Sequence, residues 1–338
     1  MPAAESALRI AIVGATSLRV KDLKEALESS ALAAATMRLV DDDAYAGTLT
    51  EAGGEPILVA GVGEEDFSRV RFVFFAGTPE LSARHAPAAL AAGATLIDLT
   101  GGLATMPDAA PWIPTLDSTL GPPRRTNGSA ASPRVYLSPS VPAMTACAFA
   151  AALASVGGGR SQIVFLQPVS EYGKQGVEEL ERQTVQLLSM QPAGRELFDA
   201  QVAFNIVDRY GPAAPVTLLE QRQALGREVA RYLAGRVPTP AVALLQVPVF
   251  FSHAFIAYAE IDSLEKLVPS LEAAGFKFST EDDEGPSNVS VAGEPRPVLG
   301  RPARDPNVER GWWFWGAADN VRVAAANAVS IAERLLAS

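Results

Sequence analysis

The chain has 338 residues, of which 48% are hydrophobic and 20% charged, and it carries a net charge of −10 at pH 7. This is ordinary globular composition with enough apolar material for two cored domains, which excludes a fibrous or low-complexity chain. Acidic residues (38) outnumber basic ones (28) with no basic run, so neither nucleic acid nor an anionic membrane surface is an expected partner.

The first elements read as a nucleotide-binding half. Residues 8–13, Leu-Arg-Ile-Ala-Ile-Val, form a β-rich run ending at Gly14, and Lys21–Ser29 has helical spacing. Strand, tight turn and helix open a βαβ unit. Thr36–Val40 is a second strand, stopping at Asp41, Asp42 and Asp43; Arg71–Phe75 is a third, followed by an Ala-rich helix over Pro79–Ala92 and a strand over Ala94–Leu99. Strands alternating with helices predict a parallel sheet covered on both faces. Residues 105–134 are rich in Pro, Gly, Ser and Thr and read as loop and connector. Val135–Leu137 then leads into an apolar helix over Ala143–Ala154.

After Gly157 the pattern changes. Strands are expected over Gln162–Val169, Ala241–Phe251 and Ala254–Ile261, with amphipathic helices over Gly176–Leu188 and Leu219–Leu233. The second half is therefore expected to be an α+β domain with a mostly antiparallel sheet. Ser279–Asn307 is a polar, Pro-rich excursion, and an Ala-rich helix closes the chain. The fold class is α/β, a Rossmann-type doubly wound sheet plus this α+β domain. The expected division is 1–138, completed by the helix over 319–338, and 139–318.

The single cysteine, Cys147, excludes an internal disulfide and any thiolate zinc cluster, and two histidines, His85 and His253, leave little for a metal site, so none is expected. With no basic-then-apolar leader at the start and no apolar run near the roughly 18 residues of a spanning helix, a cytoplasmic protein is expected. Cys147 lies in an apolar stretch where a thiol packs like a small hydrophobe. His85 reads as structural, whereas His253, closing an apolar run, has the chemistry of a general base.

The turn Gly14-Ala-Thr16-Ser17-Leu-Arg-Val20 stands where a phosphate loop would stand, but only the first of three glycines is present. Gly14, Thr16 and Ser17 are the candidate phosphate contacts. Asp41, ending the second strand, would accept from an adenosine ribose and repel a 2′-phosphate, so NAD is favoured over NADP if a dinucleotide binds. An ordinary turn and a solvated acidic end are the bland alternatives.

The chain resembles aspartate-semialdehyde dehydrogenase along nearly its full length. The resemblance rests on Ile-Val-Gly-Ala-Thr at 12–16, Ala-Ala-Gly-Ala-Thr-Leu-Ile-Asp at 91–98 and Gly-Lys-Gln-Gly-Val-Glu-Glu-Leu at 173–180. Ala-Phe-Asn at 203–205, Gln-Val-Pro-Val-Phe-Phe-Ser-His at 246–253 and Ala-Asp-Asn-Val-Arg at 318–322 extend it. It implies a homodimer built through the second domain and reduction of an aspartyl phosphate through a cysteine thioester with a nicotinamide cofactor. Yet the family's Asn-Pro-Asn-Cys is Ser138-Pro139-Ser140-Val141 here, so Val141 fills the nucleophile's place. The substrate-binding Arg seven residues before the catalytic His becomes Gln246, the phosphate-binding Arg falls on Ala104, and a Glu-x-x-Lys pair falls on Gln221 and Ala224.

His253 and Gln167, the residue that orients the acyl intermediate, remain. Glu171 stands where the family has a glycine near the nicotinamide, and Asn320 belongs to the closing segment that touches the cofactor. The bacterial Usg proteins, similar to semialdehyde dehydrogenases without the nucleophilic cysteine, share the wording at 246–254 and 314–322. The expectation is a homodimeric, catalytically silent homologue with a binding or scaffolding role and a protein partner of unknown identity; the alternative is an active NAD(P)-dependent oxidoreductase on an unidentified aldehyde or acyl substrate.

Overall fold

The computed structural model describes residues 8–52, 55–61, 67–123, 133–280 and 285–337. The opening residues read for a leader, part of the 105–134 connector and part of the 279–307 excursion lie outside these. The chain divides into two compact units, one comprising residues up to Pro114, Pro122–Pro139 and Ala324 onward, the other Thr115–Gly121 and Ser140–Val323.

In the first unit the chain runs β1 (Arg9–Val13), α1 (Arg19–Glu28), β2 (Thr36–Asp41), β3 (Leu49–Ala52), β4 (Glu55–Leu58), β5 (Ala60–Gly61), β6 (Phe72–Phe75) and α2 (Pro79–Ala91). It continues through β7 (Thr95–Asp98) and β8 (Ala109–Pro111) and, after α3 (Asp117–Leu120) of the second unit, β9 (Val135–Leu137). Seven strands form one sheet in the order β5-β2-β1-β6-β7-β9-β8, and every pairing is parallel. Its central strands are buried on both sides, as the apolar runs Ile-Ala-Ile-Val and Phe-Val-Phe-Phe require. One face packs Ile10, Ile12, Phe72, Phe74 and Ile97 with Leu23 and Leu27 of α1; the other packs Ala11, Val13, Val73, Phe75 and Leu96 with Ala86 and Ala89 of α2. Thr78 caps α2 by accepting from the Leu81 N–H, and Pro79 sits in its first turn, where a missing donor costs nothing.

The second unit adds α4 (Val141–Ser155), β10 (Ser161–Gln167), α5 (Gly173–Leu188), α6 (Leu218–Leu233), β11 (Ala241–Gln246), β12 (His253–Glu260) and α7 (Leu264–Ala273). Short strands β13 (Lys277–Phe278), β14 (Val298–Leu299) and β15 (Ala303–Arg304) and the long β16 (Gly311–Ala318) follow, and α8 (Arg322–Leu336), which from Ala324 belongs to the first unit, completes the chain. The sheet runs β11-β10-β12-β16-β14-β13, with β15 beside β16. β10–β11 and β13–β14 are parallel and the other pairs antiparallel, so the sheet is mixed with antiparallel pairs predominating. α4 is apolar all round, with Val141 through Leu153 buried, and Phe149 meets Phe276 and Phe314 edge to face.

Two expectations are corrected. The 105–134 connector contains β8, which Ala-Ala-Pro did not announce: it lacks β-branched residues and ends in Pro, a composition that suits an edge strand. The strand expected over Ala241–Phe251 ends at Gln246, because Pro248 has no N–H for a ladder. The antiparallel β3–β4 pair and α7 were not foreseen. Among the described residues no helix is long and apolar enough to cross a membrane, and no group of three metal-ligating side chains occurs.

Candidate functional site

Strand register gathers the site. Gln246 ends β11 opposite Gln167, which ends β10; Leu166 faces Ala254, so Gln167 and His253 stand at the same sheet end, and His253 faces Ala318, two residues before Asn320. Residues scattered over 150 positions thus meet along one edge of four adjacent strands.

His253 is buried, with Nε2 3.1 Å from Glu171 Oε1 and no hydrogen-bond partner for Nδ1. The Asn320 side-chain amide donates to the same Glu171 Oε1 at 2.8 Å and to Ser170 Oγ at 3.0 Å, while its oxygen accepts the Ser252 N–H at 2.9 Å. Ser252, buried and immediately before His253, has φ +69°, a left-handed conformation unusual for serine.

Beside this group lies a neutral cluster. Gln246, fully buried, donates to the carbonyls of Gln167 at 2.8 Å and Val247 at 2.9 Å and accepts from the Tyr210 hydroxyl at 2.8 Å. Its amide is saturated. Gln167 donates to Gln221 at 2.9 Å. The Tyr172 hydroxyl lies enclosed beside Tyr210 and Gln221 without a hydrogen bond of good geometry, and burial raises the pKa of both tyrosines.

Val141, buried, is the first residue of α4, capped by Ser140. Glu228 of α6 accepts the Ser140 N–H at 2.8 Å and its hydroxyl at 2.6 Å. Burial pushes the Glu228 carboxyl above its usual range; the Ser140 bonds pull the other way and the nearby Glu171 adds to the rise. Glu228 was missed in the sequence, since a glutamate on an amphipathic helix looks solvated. Cys147 is fully buried within α4 and its thiol is pushed well up by burial, as expected of a packed residue. Ala224 is exposed on α6.

The remaining candidates, Gly14, Thr16, Ser17 and Asp41, lie in the first unit. Gly14 has φ +91°, and a Cβ there would fall 2.2 Å from Gly77 Cα. The N–H groups of Gly14 and Ala15 reach the Val40 carbonyl, that of Ser17 the Gly14 carbonyl, and that of Thr16 the Asp41 carboxylate at 2.7 Å. Thr16 Oγ1 also donates to Asp41, and Ser17 Oγ to the Ala76 carbonyl. The four N–H groups and two hydroxyls that would greet a pyrophosphate all have internal acceptors, and Asp41, the ribose candidate, is engaged by the loop itself. In this arrangement Gly14, Thr16 and Ser17, the candidate phosphate contacts, hold no uncommitted donor for a dinucleotide.

A parallel dinucleotide-type unit followed by a mixed-sheet unit with His and Gln at the strand ends defines a semialdehyde dehydrogenase architecture. The chain belongs to the semialdehyde dehydrogenase family: the NAD binding domain of that family matches residues 9–119 and its dimerisation domain residues 153–323. The chain is similar to a USG-1 protein homolog of Pseudomonas aeruginosa, 31% identical over 97% of this chain and 98% of the relative. It is also similar to aspartate-semialdehyde dehydrogenase 2 of Vibrio cholerae, 29% identical over 97% of both chains. The solved structure of a probable aspartate-semialdehyde dehydrogenase from Pseudomonas aeruginosa superposes with TM-score 0.85 at 29% identity, covering 98% of each chain.

Proposed function

We propose that this chain keeps the family's two-unit architecture without its thioester chemistry and serves, as a cytoplasmic homodimer, in binding or scaffolding. The observation that carries the reading is Val141 as first residue of α4, in the place where the family resemblance puts the nucleophile. A valine cannot form a thioester, and loss of a nucleophile removes several orders of magnitude of rate. Gln246 supports it, since the amide in place of a carboxylate-binding Arg spends its donors on carbonyls of the protein.

The homodimer reading rests on an apolar row across the open face of the second sheet. By register Ala243, Val164, Ile256 and Trp315 lie side by side, and Ile256 and Trp315 are 37% and 40% exposed. A contiguous face of this kind in a domain of the dimerisation type suits a second copy of the chain.

The test is an assay of the purified protein with aspartate semialdehyde, phosphate and NAD or NADP. The expected result is no turnover above a no-protein control; measurable turnover overturns the reading. Neither dinucleotide is expected to give calorimetric heat at millimolar concentration, and heat at that level would restore the first unit as a cofactor site.

A further inference from the structure

The two donors at His253 converge on a single atom. The imidazole Nε2 stands 3.1 Å and the Asn320 amide nitrogen 2.8 Å from the same oxygen, Glu171 Oε1. Two nitrogen donors fixed on one point make a cradle for an acceptor oxygen. Each is held from behind. Asn320 is anchored through its own oxygen to the N–H of Ser252, a residue with left-handed backbone, and through its nitrogen also to Ser170. His253 is packed edge-on against Phe165 and buried, whereas the Glu171 side chain is 24% exposed. The cradle is thus built of buried, braced groups, and its occupant arrives from the more exposed side.

We propose that His253 and Asn320 form a subsite for a ligand oxygen, a carboxylate or a carbonyl, and that Glu171 occupies it in cis as an internal substitute. A strained residue held by the same amide that supplies one donor argues for a site kept for a purpose beyond packing. The carboxylate accepts two bonds and the imidazole proton sits on Nε2, leaving Nδ1 as the unpaired lone-pair atom. An unpaired acceptor is the tolerable arrangement at a buried nitrogen; the other tautomer would strand a buried N–H and turn a lone pair toward a carboxylate. The inference holds whether or not the chain turns over any substrate, and its test does not use activity.

The chain has two histidines, so nitrogen-edited NMR of the imidazoles is simple to read, with a His85→Gln variant assigning the pair. In the unaltered protein His253 is expected as the Nε2–H tautomer and insensitive to millimolar sodium formate. In Glu171→Gly the cradle opens, and formate is expected to shift the His253 nitrogens saturably while leaving His85 unmoved. Glu171→Gln retains an acceptor oxygen and is expected to stay insensitive. An Nδ1–H tautomer in the unaltered protein overturns the proposal, as does a folded Glu171→Gly variant that ignores formate or a Glu171→Gln variant that responds as the glycine does. If Glu171→Gly fails to fold, Glu171→Ala carries the same comparison, and the tautomer of the unaltered protein needs no variant.

Discussion

Glu228 holds Ser140 at two points, one carboxylate oxygen on its N–H at 2.8 Å and the other on its hydroxyl at 2.6 Å. The start of α4 is thereby tied to α6, and a carboxylate meets the positive end of a fifteen-residue helix. Glu228→Ala is expected to destabilise the protein by about 1–3 kcal/mol through the two lost bonds that brace the Ser140 cap, read from urea melts. The pH dependence has a definite sign. The folded pKa of Glu228 is raised, so its contribution is fully present below the unfolded value of about 4.3 and is lost as pH rises through the folded value. Thermal melts of Glu228→Gln against the unaltered protein are expected to favour the glutamine increasingly as pH climbs through that window.

Gln246 is the second point of sensitivity. Gln246→Leu keeps the volume but takes the acceptor from the buried Tyr210 hydroxyl and one of two bonds from each of the Gln167 and Val247 carbonyls, which keep the N–H groups of Val247 and Val249. A loss of about 1–3 kcal/mol is expected, the cost of one buried polar group left unpaired. A denaturant midpoint unchanged from the parent would show that the amide is idle.

At Gly14 the turn and the packing demand the same residue. A Cβ would collide with Gly77 Cα in a backbone already at φ +91°. Gly14→Ala is expected to cost about 2–5 kcal/mol, combining the left-handed penalty with overpacking. The loss should be the same with or without added NAD, which separates a folding role from a phosphate-binding one in a thermal shift assay.

The open sheet face gives an assembly prediction. Ile256→Glu or Trp315→Glu places a charge in the apolar row and is expected to give a monomer in sedimentation velocity where the unaltered chain sediments as the proposed dimer, with the far-UV spectrum unchanged. A dimer that survives both substitutions places the contact elsewhere.

Much of this organisation is legible in the residues. The runs at β1, β6 and β7 are apolar and bounded by turn residues, so the parallel sheet followed from pattern alone. α4 begins at Val141, two residues before the helix expected from Ala143, and Cys147 is buried as its apolar stretch implied. Local pattern did not reveal β8, whose three residues are specified by pairing with β9 rather than by propensity. Nor did it reveal the partners in the site. That Glu171 meets His253 across 82 positions, or Glu228 meets Ser140 across 88, depends on strand register and helix packing, which no local periodicity encodes. Thr16 and Ser17 were readable as polar turn residues, but only the folded turn assigns their protons to Asp41 and Ala76.

α4 has no solvent face: thirteen consecutive residues from Val141 to Leu153 are buried. Local fraying would have to expose apolar surface on every side of the helix, so its central amides have no cheap route to deuterium. Their exchange rate is therefore a clock for cooperative opening of the second unit, against which any ligand acting on that unit can be timed.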